Sequence, residues 1–281
     1  MTRKRSDQYH SHRRKTPMTD ASKIAILVVS FGTSFADTRE KNIDAIEAKI
    51  KESFPEYSHY RAWTSKMIMA KLLKRDQIKI PNVREAMEQM IADGITDVIV
   101  QPTHVINGIE NDLMKEDALF YRDHFHSIVF GNPLLTTEED NHRVVHAVAS
   151  QFAPLLNEET ALVLMGHGTT HFANSIYAAL NFKFQDEGYS RIFLGTVEAY
   201  PSMDSLLKAV KKTGVCKVIL APFMIVAGDH ATNDMAGEEE DSWKVQFEQA
   251  GFAVECILKG LGEYPEIRQL FVDHIREAIA S

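Results

Sequence analysis

The chain repeats itself. The segment Gly94-Ile-Thr-Asp-Val-Ile-Val-Gln-Pro102 aligns without gaps on Gly214-Val-Cys-Lys-Val-Ile-Leu-Ala-Pro222, an offset of 120 residues. Each copy is a glycine suited to ending a helix, a β-branched run, and a proline that stops the run. Continuing the register pairs Gly108 with Gly228 and sets Glu110 opposite His230. A second correspondence, at an offset of 136, matches Ser-Phe-Gly-Thr-Ser (30 to 34) with Gly-His-Gly-Thr-Thr (166 to 170), so that Phe31 faces His167. Two related halves, joined near residue 150, are the expectation.

The pattern inside each half sets the fold class. Short apolar runs alternate with amphipathic stretches, the signature of α/β architecture with parallel sheets. The predicted strands are Ile24–Ser30, Tyr57–Trp63, Asp97–Gln101, Ser127–Phe130, Ala161–Met165, Arg191–Thr196, Lys217–Ala221 and Ala253–Leu258. Several are apolar on both faces, as strands covered by helices on each side must be. Asp37 with Glu40 reads as a capping box ahead of a face formed by Ile43, Ile46 and Ile50. Ser202 and Gly214 bracket another helix, and Pro265 opens the last. The expected fold is two similar doubly wound domains with parallel sheets facing a cleft. An N-terminal domain spans 24–150 and a C-terminal domain 151–281, whose last helix packs back on the first.

Charge narrows the partners. The formal net charge of −8 argues against a general nucleic-acid binder, which needs a basic surface to displace counterions. Residues 1–23 are the exception, with seven Lys or Arg against Asp7 and Asp20, and read as a disordered tail. No apolar h-region and no span of about 20 apolar residues occurs, so neither secretion nor a membrane is expected and the chain reads as cytoplasmic. Cys216 and Cys256 lie in apolar runs and read as buried free thiols, which leaves no disulfide framework and no cysteine-based zinc site. Phosphate-loop, dinucleotide-binding and hydrolase-elbow motifs are absent. Nothing here sets the oligomeric state, and a homo-oligomer stays open.

Ligands of open α/β sheets bind beyond the carboxyl ends of the strands, so polar side chains just after strand ends are the site candidates. In the second half these are His167, held between Gly166 and Gly168, then Glu198 and His230, each about one helix-strand unit apart. Two imidazoles and a carboxylate suit a borderline divalent transition metal, and imidazole can also accept a proton. Glu110, at the repeat-equivalent place in the first half, would face this trio across the cleft. His104 is a weaker candidate. His142 and His146 lie four apart on a helix with Glu138, Glu139 and Asp140, and read as a solvated face.

Several runs then point in one direction. Leu-Val-Val-Ser-Phe-Gly-Thr-Ser (27 to 34), Val-Ile-Asn-Gly-Ile-Glu (105 to 110), Met-Gly-His-Gly (165 to 168), Val-Glu-Ala-Tyr-Pro (197 to 201) and Val-Ala-Gly-Asp-His-Ala-Thr-Asn-Asp-Met-Ala (226 to 236) resemble the anaerobic sirohydrochlorin cobalt chelatases. These are class II chelatases of cobalamin biosynthesis, related in fold to protoporphyrin ferrochelatase. The resemblance covers residues 24 to about 280. It implies a lyase-type enzyme that inserts a divalent metal into a tetrapyrrole without any cofactor beyond that metal. By motif, it assigns His167, Glu198 and His230 to the metal and His167, Glu110 and His230 to catalysis. Co2+ is the implied ion, with Fe2+ and Ni2+ as alternatives. Arg39, Lys41, Arg61 and Lys66, placed after first-half strands or at helix starts, could meet substrate carboxylates or be surface charges. A carrier that binds metal or tetrapyrrole without catalysis would use the same residues.

Overall fold

The computed structural model describes residues 23–281; the expected disordered tail, all but Lys23, lies outside the described residues. The first half runs β1 (Ile24–Ser30), α1 (Ala36–Arg39), α2 (Ala45–Ser53), β2 (Ser58–Trp63), α3 (Lys66–Asp76), α4 (Val83–Ala92), β3 (Asp97–Pro102), α5 (Ile109–Leu119), β4 (Ser127–Phe130) and α6 (Glu138–Phe152). The second runs β5 (Thr160–Gly166), α7 (Ser175–Asp186), β6 (Ile192–Thr196), α8 (Met203–Lys211), β7 (Lys217–Pro222), α9 (Trp243–Gln249), β8 (Ala253–Cys256) and α10 (Pro265–Ala280).

The strands form two four-stranded sheets of the same order, β2-β1-β3-β4 and β6-β5-β7-β8. Every pairing is parallel. The internal repeat reappears as register: Val29 of β1 stands opposite Pro102, and Met165 of β5 stands opposite Pro222. β1 and β5 are apolar runs because each is a central strand covered on both faces, with Ala25 to Val29 and Ala161 to Met165 all buried. β4 and β8 are edge strands and only partly covered. β8 ends at Cys256, two residues short of its expected end.

Local chemistry sets most helix starts. Asn82 and Thr137 each close a capping box, with Glu85 and Asp140, and Ser202 accepts the amide of Ser205. The box expected at Asp37 does not form. Phe35 precedes the helix, Asp37 falls inside the first turn, and its carboxylate pairs with Lys41 at 2.8 Å. A wide turn of π type then spans Glu40–Asp44, and Ile43 within it, with Ile46 and Ile50 on α2, is buried as expected. That turn lies against the second half. A Cβ on Gly260 would meet Ile225 O at 2.4 Å and Asn42 Oδ1 at 2.5 Å, so glycine alone permits the approach.

The expectation of two buried thiols is also corrected. Cys216 precedes β7 at the open amino edge of the sheet and is exposed, and Cys256 on the edge strand is half-buried; both are free. α10 crosses between halves: it lies against α2, α6 and β3, and buries Ile267, Leu270, Phe271, Val272 and Ile275. Each such side chain contributes about 1.5–3 kcal/mol. His274 of α10 is buried between the carbonyl of Asn132 (Nδ1, 2.9 Å) and Asp140 (Nε2, 2.8 Å), while Arg143 holds Asp273 at 2.6 Å. Among the described residues no helix is long and apolar enough to cross a membrane.

Candidate metal centre

The three second-half candidates meet at the carboxyl edge of the second sheet. His167 follows β5, where Gly166 and Gly168 let the chain turn tightly. A Cβ on Gly166 would lie 2.5 Å from the Tyr177 ring, and Gly168, at φ +86°, would place one 2.9 Å from Thr196. Glu198 is fixed to the same turn by two backbone bonds, Val197 N to Gly166 O and Glu198 N to His167 O, both 3.0 Å. His230 arrives from the loop after β7, at the start of a π-type turn over Ala231–Met235.

One ligand atom from each of His167, Glu198 and His230 lies within 4.8 Å of the others. The two imidazole rings stand 4.6 Å apart between centroids and nearly perpendicular, at 88°. His167 Nδ1 lies 2.8 Å from the Gly168 carbonyl and 3.7 Å from Glu198 Oε2. A carbonyl only accepts, so Nδ1 carries the proton and Nε2 keeps its lone pair. His230 Nδ1 is likewise engaged, by Asp234 Oδ2 at 2.7 Å. Both imidazoles therefore offer Nε2 from rings anchored through Nδ1, the usual condition of a ligand oriented by a second layer of hydrogen bonds. The three side chains are between one-third and about half exposed, which leaves the group open to solvent and to an incoming ion. Tyr177, buried below the turn and pushed up to about 12 by that burial, is no proton acceptor at neutral pH.

Other candidates fall elsewhere. Glu110 sits in the first turn of α5, where the helix dipole favours a carboxylate, but it is not among the converging ligands. Two residues on, Asp112 comes within 3.5 Å of His171 Nε2, so the start of α5 does reach the second half. The other nitrogen of His171, Nδ1, accepts the amide of Ala173. His104 is buried with neither ring nitrogen hydrogen-bonded, and burial lowers it to about 4, which keeps it neutral.

The four basic residues separate into different situations. Arg61 lies within β2, inside the predicted strand Tyr57–Trp63 and not after a strand end, and Glu47 (2.8 Å from Nε) and Asp44 hold its guanidinium. Lys41 pairs with Asp37. Arg39 lies 3.6 Å from Asp44 with a buried, unbonded Nε, and Lys66 is exposed at the first position of α3. Two features were missed from sequence. Asp234 shares the motif of His230, and a spacing of four would have signalled it had the segment been read as helical. His142, His146 and Glu187 also converge, at a separate place on the molecule.

Comparisons with known proteins identify the relatives of the chain. The model of the family described as cobalt chelatase (CbiK) matches residues 24–280. The sirohydrochlorin cobaltochelatase of Salmonella typhimurium is 42% identical over 258 residues, which cover 92% of this chain and 97% of the relative. The sirohydrochlorin cobaltochelatase CbiKC of Nitratidesulfovibrio vulgaris is 32% identical over 267 residues, 94% of this chain and 93% of the relative. Among solved structures, SirB from Bacillus subtilis with Fe3+ shares the fold at a TM-score of 0.65 and 14% identity, covering 92% of this chain and 96% of that one.

Proposed function

The chain belongs to the CbiK cobalt chelatase family, and from that premise we propose that it is a sirohydrochlorin cobaltochelatase whose metal-handling residues are His167, Glu198 and His230. It acts in the cytoplasm and uses no cofactor beyond the metal, which is substrate. The observation that carries the residue assignment is the convergence of two imidazoles and one carboxylate at the carboxyl edge of the second sheet. That ligand set suits Co2+, and equally Fe2+ or Ni2+; affinity alone would favour nickel over cobalt.

Inserting a divalent ion requires two pyrrole N–H protons to leave and the ion to shed water. His167, through Nε2, hands over the ion and accepts a proton as it does so. His230 completes the site while Asp234 fixes its ring, and Glu198 offsets the charge of the bound cation. Glu110 takes up the ion or a proton from the opposite side of the cleft. Phe31, exposed at the repeat-equivalent of His167, supplies an apolar face for a flat macrocycle. Lys66 is the basic group best left to meet substrate carboxylates, since Arg61 and Lys41 are already paired within the first half and Arg39 lies beside Asp44.

A multiple-turnover absorbance assay with sirohydrochlorin and Co(II) tests the reading. Metallated product is expected to accumulate well beyond one equivalent of protein. A rise that stops at one equivalent would instead identify a carrier.

A further inference from the structure

A second convergence lies away from the cleft. His142 and His146 stand one turn apart on α6, and Glu187 immediately follows α7. α7 starts beyond the His167 loop, and its 12 residues carry the chain about 18 Å back toward the amino edge of the sheet. Glu187 is thus well separated from the cleft residues. One ligand atom from each of the three lies within 4.8 Å of the others. His142 Nδ1 is 3.2 Å from Glu187 Oε1, and His146 Nε2 is 3.2 Å from Oε2.

Three details favour an ion over a simple polar cluster. The hydroxyl of Tyr189 engages His146 Nδ1 at 3.0 Å, which fixes the ring and reserves Nε2 for the cluster. Glu187 Oε2 is buried and has no hydrogen-bond partner, although an imidazole nitrogen stands 3.2 Å away. The two rings pack at 4.3 Å and 66°, an arrangement that brings one nitrogen of each toward the same carboxylate. One group opposes a cation: the Lys183 ammonium lies 3.1 Å from Glu187 Oε1, although Glu138 also holds it, at 2.5 Å.

We propose that His142, His146 and Glu187 form a second site for a divalent transition metal of the zinc, nickel or cobalt class, which pins α6 to the end of α7. His142 Nδ1, His146 Nε2 and a Glu187 oxygen are the ligands, and water completes the shell. The inference does not depend on the chemistry assigned to the cleft.

The test uses the full chain. In the His167→Ala/His230→Ala variant, titration with Co(II) should still show one bound equivalent by visible d–d absorption, displaced by Zn(II). Adding His142→Ala and His146→Ala should remove it. Glu187→Gln, which keeps size and removes the charge, should weaken binding at least ~10-fold, and Lys183→Met should tighten it about three- to tenfold by removing a nearby positive charge. Far-UV circular dichroism checks folding, and should the four-fold variant fail to fold, Glu187→Gln decides. The site is refuted if the cleft variant binds no Co(II), or if Glu187→Gln binds as tightly as its parent.

Discussion

The two halves share a frame and differ in what they hang on it. In the first, Thr64 N and Ser65 N bond to the carbonyls of Ser30 and Phe31; in the second, Val197 N and Glu198 N bond in the same way to Gly166 and His167. The following glycines, Gly32 and Gly168, both take positive φ, +106° and +86°. Position for position, His167, Glu198 and His230 of the second half correspond to Phe31, Ser65 and Glu110 of the first. Ser65 spends its hydroxyl on capping α3, by accepting the amide of Ile68, and Phe31 is 44% exposed. The backbone thus provides a pair of equivalent ledges, and side chains alone make one of them a candidate ligand set and leave the other with an exposed phenyl ring.

The largest effect should come from breaking the liganded ledge. His167→Ala should cut cobalt insertion about 10³-fold at neutral pH, the scale of a lost general base, with the circular dichroism spectrum unchanged; near-normal turnover would remove His167 from the chemistry. Asp234→Asn touches only the support of His230, and should reduce Co(II) affinity or turnover about 10- to 100-fold.

The halves also differ under the ledges. His104 occupies the place that Met224 holds in the second half, and burial lowers its pKa from 6.5 to about 4. Above pH 6.5 both folded and unfolded chains are neutral here. As pH falls from 6.5 toward 4 only the unfolded chain gains the proton, so stability is lost, by about 2 kcal/mol at pH 5. His104→Met should therefore lessen the difference between urea denaturations at pH 7 and pH 5 by about that amount. It should also stabilise the protein by about 1 kcal/mol at pH 7, because two unpartnered nitrogens disappear. Smallest is Phe31→Ala, which should raise KM for the tetrapyrrole about tenfold, near 1.4 kcal/mol, with kcat nearly unchanged. A fall in kcat alone would mean that Phe31 acts on the reacting centre and not as a wall.

What sequence revealed and what it hid follow from range. The strand positions rest on apolar runs, which are local patterns, and the candidate trio was readable because each residue follows a strand end. Asp234 escaped because the segment after β7 reads as a loop, so its spacing of four from His230, which the π-type turn over Ala231–Met235 makes a contact, carried no signal. His142 and His146 are exposed, as a solvated face requires, but the approach of Glu187 to them was hidden because it is far away along the chain and is delivered by the packing of α6 on α7. The thiols were misplaced for two reasons: Cys216 falls just before its strand begins, and Cys256 lies on a strand that is at the sheet edge. Arg61 was taken for a free charge because its partners Glu47 and Asp44 lie on a neighbouring helical segment.

α10 gives the chain a timetable. It is synthesised after every strand of both sheets, yet it covers β3 and α2 of the first and seats His274 against Asp140. The first half therefore leaves the ribosome with an apolar face still bare, and must wait for the second half to be made before that face is covered. Such long-range closure slows folding and exposes a partly finished core to association with other chains. A chain that stops before α10 would lack the helix that buries this face of the first half.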